Sequence, residues 1–370
     1  RLMEEMQKSG VSPNVMTFAS ILKACTRMDS ALYGRFMHDE SIRCSFETNE
    51  LVVNGLIDMY ANFGCLKEAL DLFDRLRRPN LIIWNAMING CVQHDEGLIA
   101  LELFEKMHIE GICADHVTYV CALQACTSIG SVALGRMIHD HILRDGLETY
   151  TSVGTTLVNM YASCGSLKEA HILLDMLPAR DVVSWSALIG GYAEHGFAEK
   201  AWNSFVQMQS KGIYPNAVTY VCILKTCGSI KATEKGQLIH NYIIKDGFED
   251  DLFIGSNLVG MYAKCGLLLE AEGTLNDLAI RDLPSWSALI SGYLDQGFAD
   301  KALSSSKEMQ EEMLHLDATT YVCSLKACGA VRAIDHGYFL HDEIVKRGYE
   351  QDHFISSVLI DMYAKCSLLL

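Results

Sequence analysis

The tripeptide Met-Tyr-Ala ends at Ala61, Ala162, Ala263 and Ala364, so it returns every 101 residues without slippage. Trp84, Trp185 and Trp286 keep the same interval. So do Gly34, Gly135, Gly236 and Gly337, and likewise His38, His139, His240 and His341. A chain that repeats at a fixed interval builds its core by stacking like units, each burying its apolar face against the next.

Each 101-residue interval divides into three shorter units, typified by residues 182–216, 217–251 and 252–282, of 35, 35 and 31 residues. A unit opens with an apolar helical pattern such as Trp185-Ser186-Ala187-Leu188-Ile189 and turns at Glu194-His195-Gly196. A second amphipathic stretch follows, from Ala198 to Gln209. Apolar residues at three- and four-residue spacings predict a helix in both stretches. Helix, short turn and helix form an α-hairpin, which needs its neighbours to cover its face, and stacked hairpins give an all-α solenoid.

Half of the 370 residues are apolar and only 5 are proline, which supplies a continuous core. No run approaches the eighteen apolar residues that a membrane span requires. The 14 cysteines contain no C-x-x-C pair, so their spacing argues neither a zinc site nor a disulfide framework. They read as small buried hydrophobes in a reducing compartment. Both ends, Arg1-Leu2-Met3-Glu4 and Ser367-Leu368-Leu369-Leu370, read as cut within the pattern.

Three runs carry a family resemblance: Trp286-Ser287-Ala288-Leu289-Ile290-Ser291-Gly292-Tyr293, Tyr321-Val322-Cys323-Ser324-Leu325-Lys326-Ala327-Cys328, and Leu258-Val259-Gly260-Met261-Tyr262-Ala263-Lys264-Cys265-Gly266. On these the chain resembles a plant pentatricopeptide repeat protein of the PLS subfamily, in which standard (P), long (L) and short (S) repeats alternate. The resemblance implies a right-handed α-solenoid with ten complete repeats. They run L 15–49, S 50–80, P 81–115, L 116–150, S 151–181, P 182–216, L 217–251, S 252–282, P 283–317 and L 318–352. A partial P repeat at 1–14 and a truncated S repeat at 353–370 flank them.

In the family, the fifth and last residues of a repeat together contact one RNA base. The implied pairs are Asn54 with Asn80, Asn85 with Asp115, Thr155 with Asp181, Ser186 with Asn216, Ser256 with Asp282, and Ser287 with Asp317; Ser357 lacks its partner. Short amides, hydroxyls and carboxylates suit the Watson–Crick edge of a splayed base. The family's pairing rules imply a target 5′-Y-U-n-G-A-n-G-G-n-R-3′. Ala19, Val120, Val221 and Val322 hold the fifth position of the L repeats and cannot hydrogen-bond through their side chains. The last-position residues also have a plainer reading, because Asp and Asn cap helices.

The second residue of a family repeat packs against bases. Met16, Leu51, Ile82, Val117, Val183, Val218, Phe253 and Phe354 suit that role, with interior packing as the alternative; Ser152, Pro284 and Thr319 depart from it. Phosphate contacts fall to Arg27, Lys264 and Lys365, where Glu194 and Asp295 carry the wrong sign. The net charge of −16 runs against an interface that usually leans on Lys and Arg.

The recurring histidines lie three hairpins apart, too far to converge on a metal, and read as packing residues. His108-Ile109-Glu110 and the His-Asp-Glu triplets from His38, His94 and His341 match half of a zinc deaminase signature, whose P-C-x-x-C half is missing. The resemblance therefore implies a non-enzymatic array without cofactor. Its partner would be single-stranded RNA, with editing-complex proteins or a deaminase-like domain after Leu370. It would work in a mitochondrion or chloroplast, the former marginally favoured. A protein-binding scaffold and a degenerate array without a target are the competing readings.

Overall fold

The computed structural model describes Met6, Gly10 and residues 12–27 and 31–366. The partial repeat expected at 1–14 and the final residues 367–370 lie largely or wholly outside that range, as does the side chain of Arg27. The described residues form twenty-one α-helices and one 3-10 turn, Tyr349–Gln351, with no strand among them. They belong to two compact units, residues 1–188 and 189–370.

The helices alternate as the first and second arms of hairpins. First helices are Val15–Arg27, Glu50–Asn62, Leu81–Gln93, His116–Ser128, Thr151–Ser163, Val182–Glu194, Ala217–Ser229, Leu252–Cys265, Leu283–Asp295, Ala318–Val331 and His353–Lys365. Between them run second helices such as Ala198–Ser210 and Thr233–Lys245. The second stretch expected to close at Gln209 runs one residue further, within the ordinary fraying of a helix end.

Within each unit, successive first helices pack on one another, while second helices pack on the first helices beside them. No pair of second helices packs comparably among the described residues. First helices thus form the inner side of each stack. That close approach needs small residues. A Cβ on Gly90 would sit 2.5 Å from the Cβ of Ala61, and one on Gly292 2.7 Å from that of Ala263.

The residues of the 101-residue period are the fixed points of the core. Trp84, Trp185 and Trp286 are almost fully buried. A Cβ on Gly34, Gly135, Gly236 or Gly337 would overlap the sulfur of Met59, Met160, Met261 or Met362 at 2.3–2.7 Å. Each of these glycines is therefore the socket for the methionine of the Met-Tyr-Ala tripeptide. Burying a methionine side chain contributes roughly 1.5–3 kcal/mol.

Candidate nucleic-acid interface

On a first helix, residues two, five, nine and thirteen fall on one stripe, because steps of three and four bring side chains to the same face. The second residue opens the stripe. Met16 is 63% exposed, Ile82 74%, Phe253 60% and Phe354 63%. Leu51, Val117, Val183 and Val218 are also exposed, as are Ser152, Pro284 and Thr319. Interior packing therefore does not account for the eight apolar members. Large apolar side chains held in water at this one position of eight hairpins are an arrangement that folding alone does not require.

The fifth residue lies one turn further in. Ser186 and Ser256 are buried, Asn54, Asn85, Thr155 and Ser287 half-buried, and Ser357 exposed. The last residue of each of the six paired hairpins caps the next first helix. Asn80 accepts the amide of Ile83 at 3.1 Å, Asp115 that of Thr118 at 2.9 Å and Asp181 that of Ser184 at 2.8 Å. Asn216, Asp282 and Asp317 accept from Thr219, Ser285 and Thr320 at 2.9, 3.0 and 2.8 Å. Capping is thus real at all six. It does not exhaust their chemistry.

At the hairpins of Asn85 and Ser256 the cap also meets the fifth residue. Asn85 donates through Nδ2 to Asp115 Oδ1 at 3.1 Å, and its carbonyl oxygen accepts the Thr118 hydroxyl at 2.6 Å. Ser256 donates to the Asp282 carboxylate at 2.9 Å. Ser287 reaches Asp317 through Thr320, whose hydroxyl lies 2.7 Å from that of Ser287 and 2.6 Å from Asp317 Oδ1. At Asp115 burial works against the charge, but hydrogen bonds from Thr118 and Asn85 outweigh it and hold the carboxyl below its ordinary pKa. Ser186 donates to the Val182 carbonyl at 2.7 Å, as Ser256 does to that of Leu252 at 2.8 Å.

Asn54 Oδ1 and Thr155 Oγ1 are buried and accept or donate no hydrogen bond. A buried polar atom left unmatched costs about 1–3 kcal/mol. The two atoms occupy the same hairpin position, the fifth, one turn in from an exposed second residue.

Most of the acidity lies away from the first helices. The eleven first helices carry only Lys23, Arg27, Lys225, Lys264, Lys326 and Lys365 against Glu50, Asp58, Glu194, Asp295 and Asp361. Six basic and five acidic groups leave the first helices themselves near neutrality, and the capping Asp115, Asp181, Asp282 and Asp317 add four carboxylates at their starts, so most of the net charge of −16 resides on second helices and other connections. Of the expected phosphate contacts, Lys264 is exposed, while Lys365 is held by Asp361 at 2.7 Å. Residue-by-residue matching overlooked Lys23, Lys225 and Lys326. Their signal was available: they share the ninth position of hairpins whose fifth residue is apolar.

The recurring histidines do more than pack. The Nδ1 atoms of His38, His139, His240 and His341 lie 2.9, 3.1, 2.7 and 2.8 Å from the phenol oxygens of Tyr60, Tyr161, Tyr262 and Tyr363. Each bond ties a second helix to the following first helix. Among the described residues no three His, Cys, Asp or Glu side chains converge as a metal site would require. No helix among them is long and apolar enough to cross a membrane.

Stacked α-hairpins with one exposed stripe per first helix define an α-helical repeat protein. The family described as "PPR repeat family" matches residues 79–128 and 180–229, "Pentatricopeptide repeat domain" matches 1–28, and "PPR repeat" matches 52–81 and 284–314. A chloroplastic pentatricopeptide repeat-containing protein of Arabidopsis thaliana is 33% identical over 366 residues, covering 99% of this chain and 59% of that protein. A mitochondrial one from the same plant is 31% identical over 367 residues, covering 99% of this chain and 36% of its own length. The chain belongs to the pentatricopeptide repeat family. It spans about 36–59% of the length of these two relatives. The crystal structure of PPR10 in complex with an 18-nt psaJ RNA element superposes with a TM-score of 0.66 at 18% identity, over 99% of this chain and 58% of that one. PPR10 from maize without that RNA gives 0.64 at 18% identity, over 97% and 57%. The two share one fold with this chain.

Proposed function

We propose that this chain binds single-stranded RNA, one base per hairpin wherever the fifth and last residues are both polar. The observation that carries the reading is the inner stripe itself. An exposed second-position side chain precedes a polar fifth residue that, at Asn85 and Ser256, bonds the capping carboxylate of the next hairpin. Such a pair holds an edge-reading group in a fixed orientation beside an apolar surface on which a base can stack. Stacking contributes roughly 1–3 kcal/mol per base, which suits a face with little net charge. The solved PPR10 complex with an RNA element supports the same use of the fold.

In this reading the hairpins are the P, L and S repeats set out above, and the target is 5′-Y-U-n-G-A-n-G-G-n-R-3′. The array works in a mitochondrion or chloroplast, in keeping with the names of its relatives. It addresses a transcript for C-to-U editing, performed by a further domain or a partner protein. The test is binding to RNA of that register against a scrambled RNA of equal composition at one stated salt concentration. Asn85→Thr should then move the preference at a single base from U to G. An unchanged preference would sink the assignment of one base to each hairpin.

A protein scaffold is the second reading. It is favoured by an apolar groove of about 290 Å³ between second helices, lined by Leu101, Phe104, His108, Met137, Ile138 and His141. Equal failure to bind either RNA would select it.

A further inference from the structure

In the unit spanning residues 189–370, four consecutive first helices frame an open groove of about 460 Å³. That volume lies in the range of small-molecule sites. Lys225 and Lys264 line it together with Ser256, Asn257 and Ser229, and Glu194 stands on the wall from the preceding helix. The groove is open because its walls carry Gly190, Gly228 and Gly260. The Lys264 stem crosses Gly228, where an added Cβ would stand 3.3 Å from Lys264 Cδ.

Lys225 and Lys264 are two of several lysines of this unit without an ion pair among the described residues, Lys326 being another, and what distinguishes them is that both line this one groove. Lys365, Lys346, Arg347 and Arg281 of the same unit are all in ion pairs. Among the described residues Lys225 and Lys264 have none, and both are exposed. Two unpaired ammonium groups share a groove with the base-facing hydroxyl of Ser256. A phosphodiester linking successive nucleotides is the anion that fits such a place.

The ninth-position lysines also fall in a pattern. Lys23, Lys225 and Lys326 belong to hairpins whose fifth residues are Ala19, Val221 and Val322, which offer a base no polar side-chain group. Lys326 Nζ stands 5.8 Å from the ring centroid of Phe354, the exposed second residue of the next hairpin. The cation therefore sits at the boundary between a mute hairpin and a reading one.

We propose that the mute hairpins with a ninth-position lysine grip the RNA backbone instead of a base, a part that the hairpin of Val120, with Gln124 there, does not take. Lys225, with Lys264, seats the phosphate that joins the nucleotide over Val221 to the nucleotide read by Ser256 and Asp282, and Lys326 does the same one period later. The proposal rests on the RNA-binding reading and assigns its spacer hairpins an active part. Glu194 opposes the phosphate from the far wall.

The experiment is affinity for the register RNA measured from 50 to 300 mM salt, for the unaltered chain, Lys225→Gln, Lys225→Arg, Glu194→Gln and Lys245→Gln. Each phosphate neutralised on a single strand contributes about 0.7 to the slope of log K against log salt. Lys225→Gln should weaken binding several-fold, flatten the slope by about 0.7 and leave base preference intact. Lys225→Arg should restore both, and Glu194→Gln should tighten binding. Lys245→Gln, a like charge change on a second helix, should do neither. A Lys225→Gln slope and affinity equal to the unaltered chain, with register preference retained, overturns this proposal alone. Loss of register preference in the unaltered chain overturns the RNA reading and this proposal with it.

Discussion

At Asp282 one carboxylate accepts the Ser285 amide at 3.0 Å, which caps helix Leu283–Asp295, and the Ser256 hydroxyl at 2.9 Å from the hairpin before it. The two bonds can be separated chemically. Asparagine caps about as well as aspartate, whereas alanine does not, at a cost of about 1 kcal/mol. Asp282→Asn should therefore keep its resistance to urea, and Asp282→Ala should lose about 1 kcal/mol. The sequence offers its own reference for the first variant, since the proposed pairing sets Asn216 with Ser186 where it sets Asp282 with Ser256. On the pairing rules Asp282→Asn should move the base preference at that hairpin from G to A. A changed stability with an unchanged preference would reduce Asp282 to a cap.

Among the elements, the joint between a second helix and the next first helix has a built-in pH response. Burial pushes His38, His139 and His240 below the usual histidine pKa, partly offset by Asp39, Asp140 and Asp277, while Arg75 adds to the lowering at His38. The unfolded chain takes up these protons near pH 6.5, the folded chain only at lower pH. Between those values the unfolded state holds more protons, so stability falls as pH drops through the window. The thermal midpoint should decline from pH 7.5 to pH 5.5, and replacing all three histidines by glutamine should flatten the decline. An equal decline in the triple variant would assign it elsewhere. These joints also mark where sequence reading stops. Hairpin periodicity needs only apolar spacing along one helix, so the helices and their turns were legible, and so was the exposed second position. His240 and Tyr262 both recur at 101 residues, yet only packing tells which partner lies across from which. The reach of Ser287 to Asp317 through Thr320 was hidden for the same reason.

For the whole molecule the decisive quantity is where the charge lies. A chain at −16 would repel a polyanion if its acids were spread evenly, but the first helices hold six basic and five acidic groups. Lys365 is neutralised by Asp361, and Lys23 bears on Asp58. Among the described side chains, Lys225, Lys264 and Lys326 are left on the first helices as exposed cations without an ion pair. At about 0.7 per phosphate, three to six contacts set the salt slope for RNA binding between about −2 and −4. Base contacts and stacking then carry most of the affinity, so register preference should persist at 300 mM salt while overall binding weakens modestly. A slope well beyond −4 would mean that the RNA leaves the inner stripe for the cations of the second helices. A slope near zero would remove phosphate from the recognition altogether, leaving the stacked second-position side chains to hold the strand unaided.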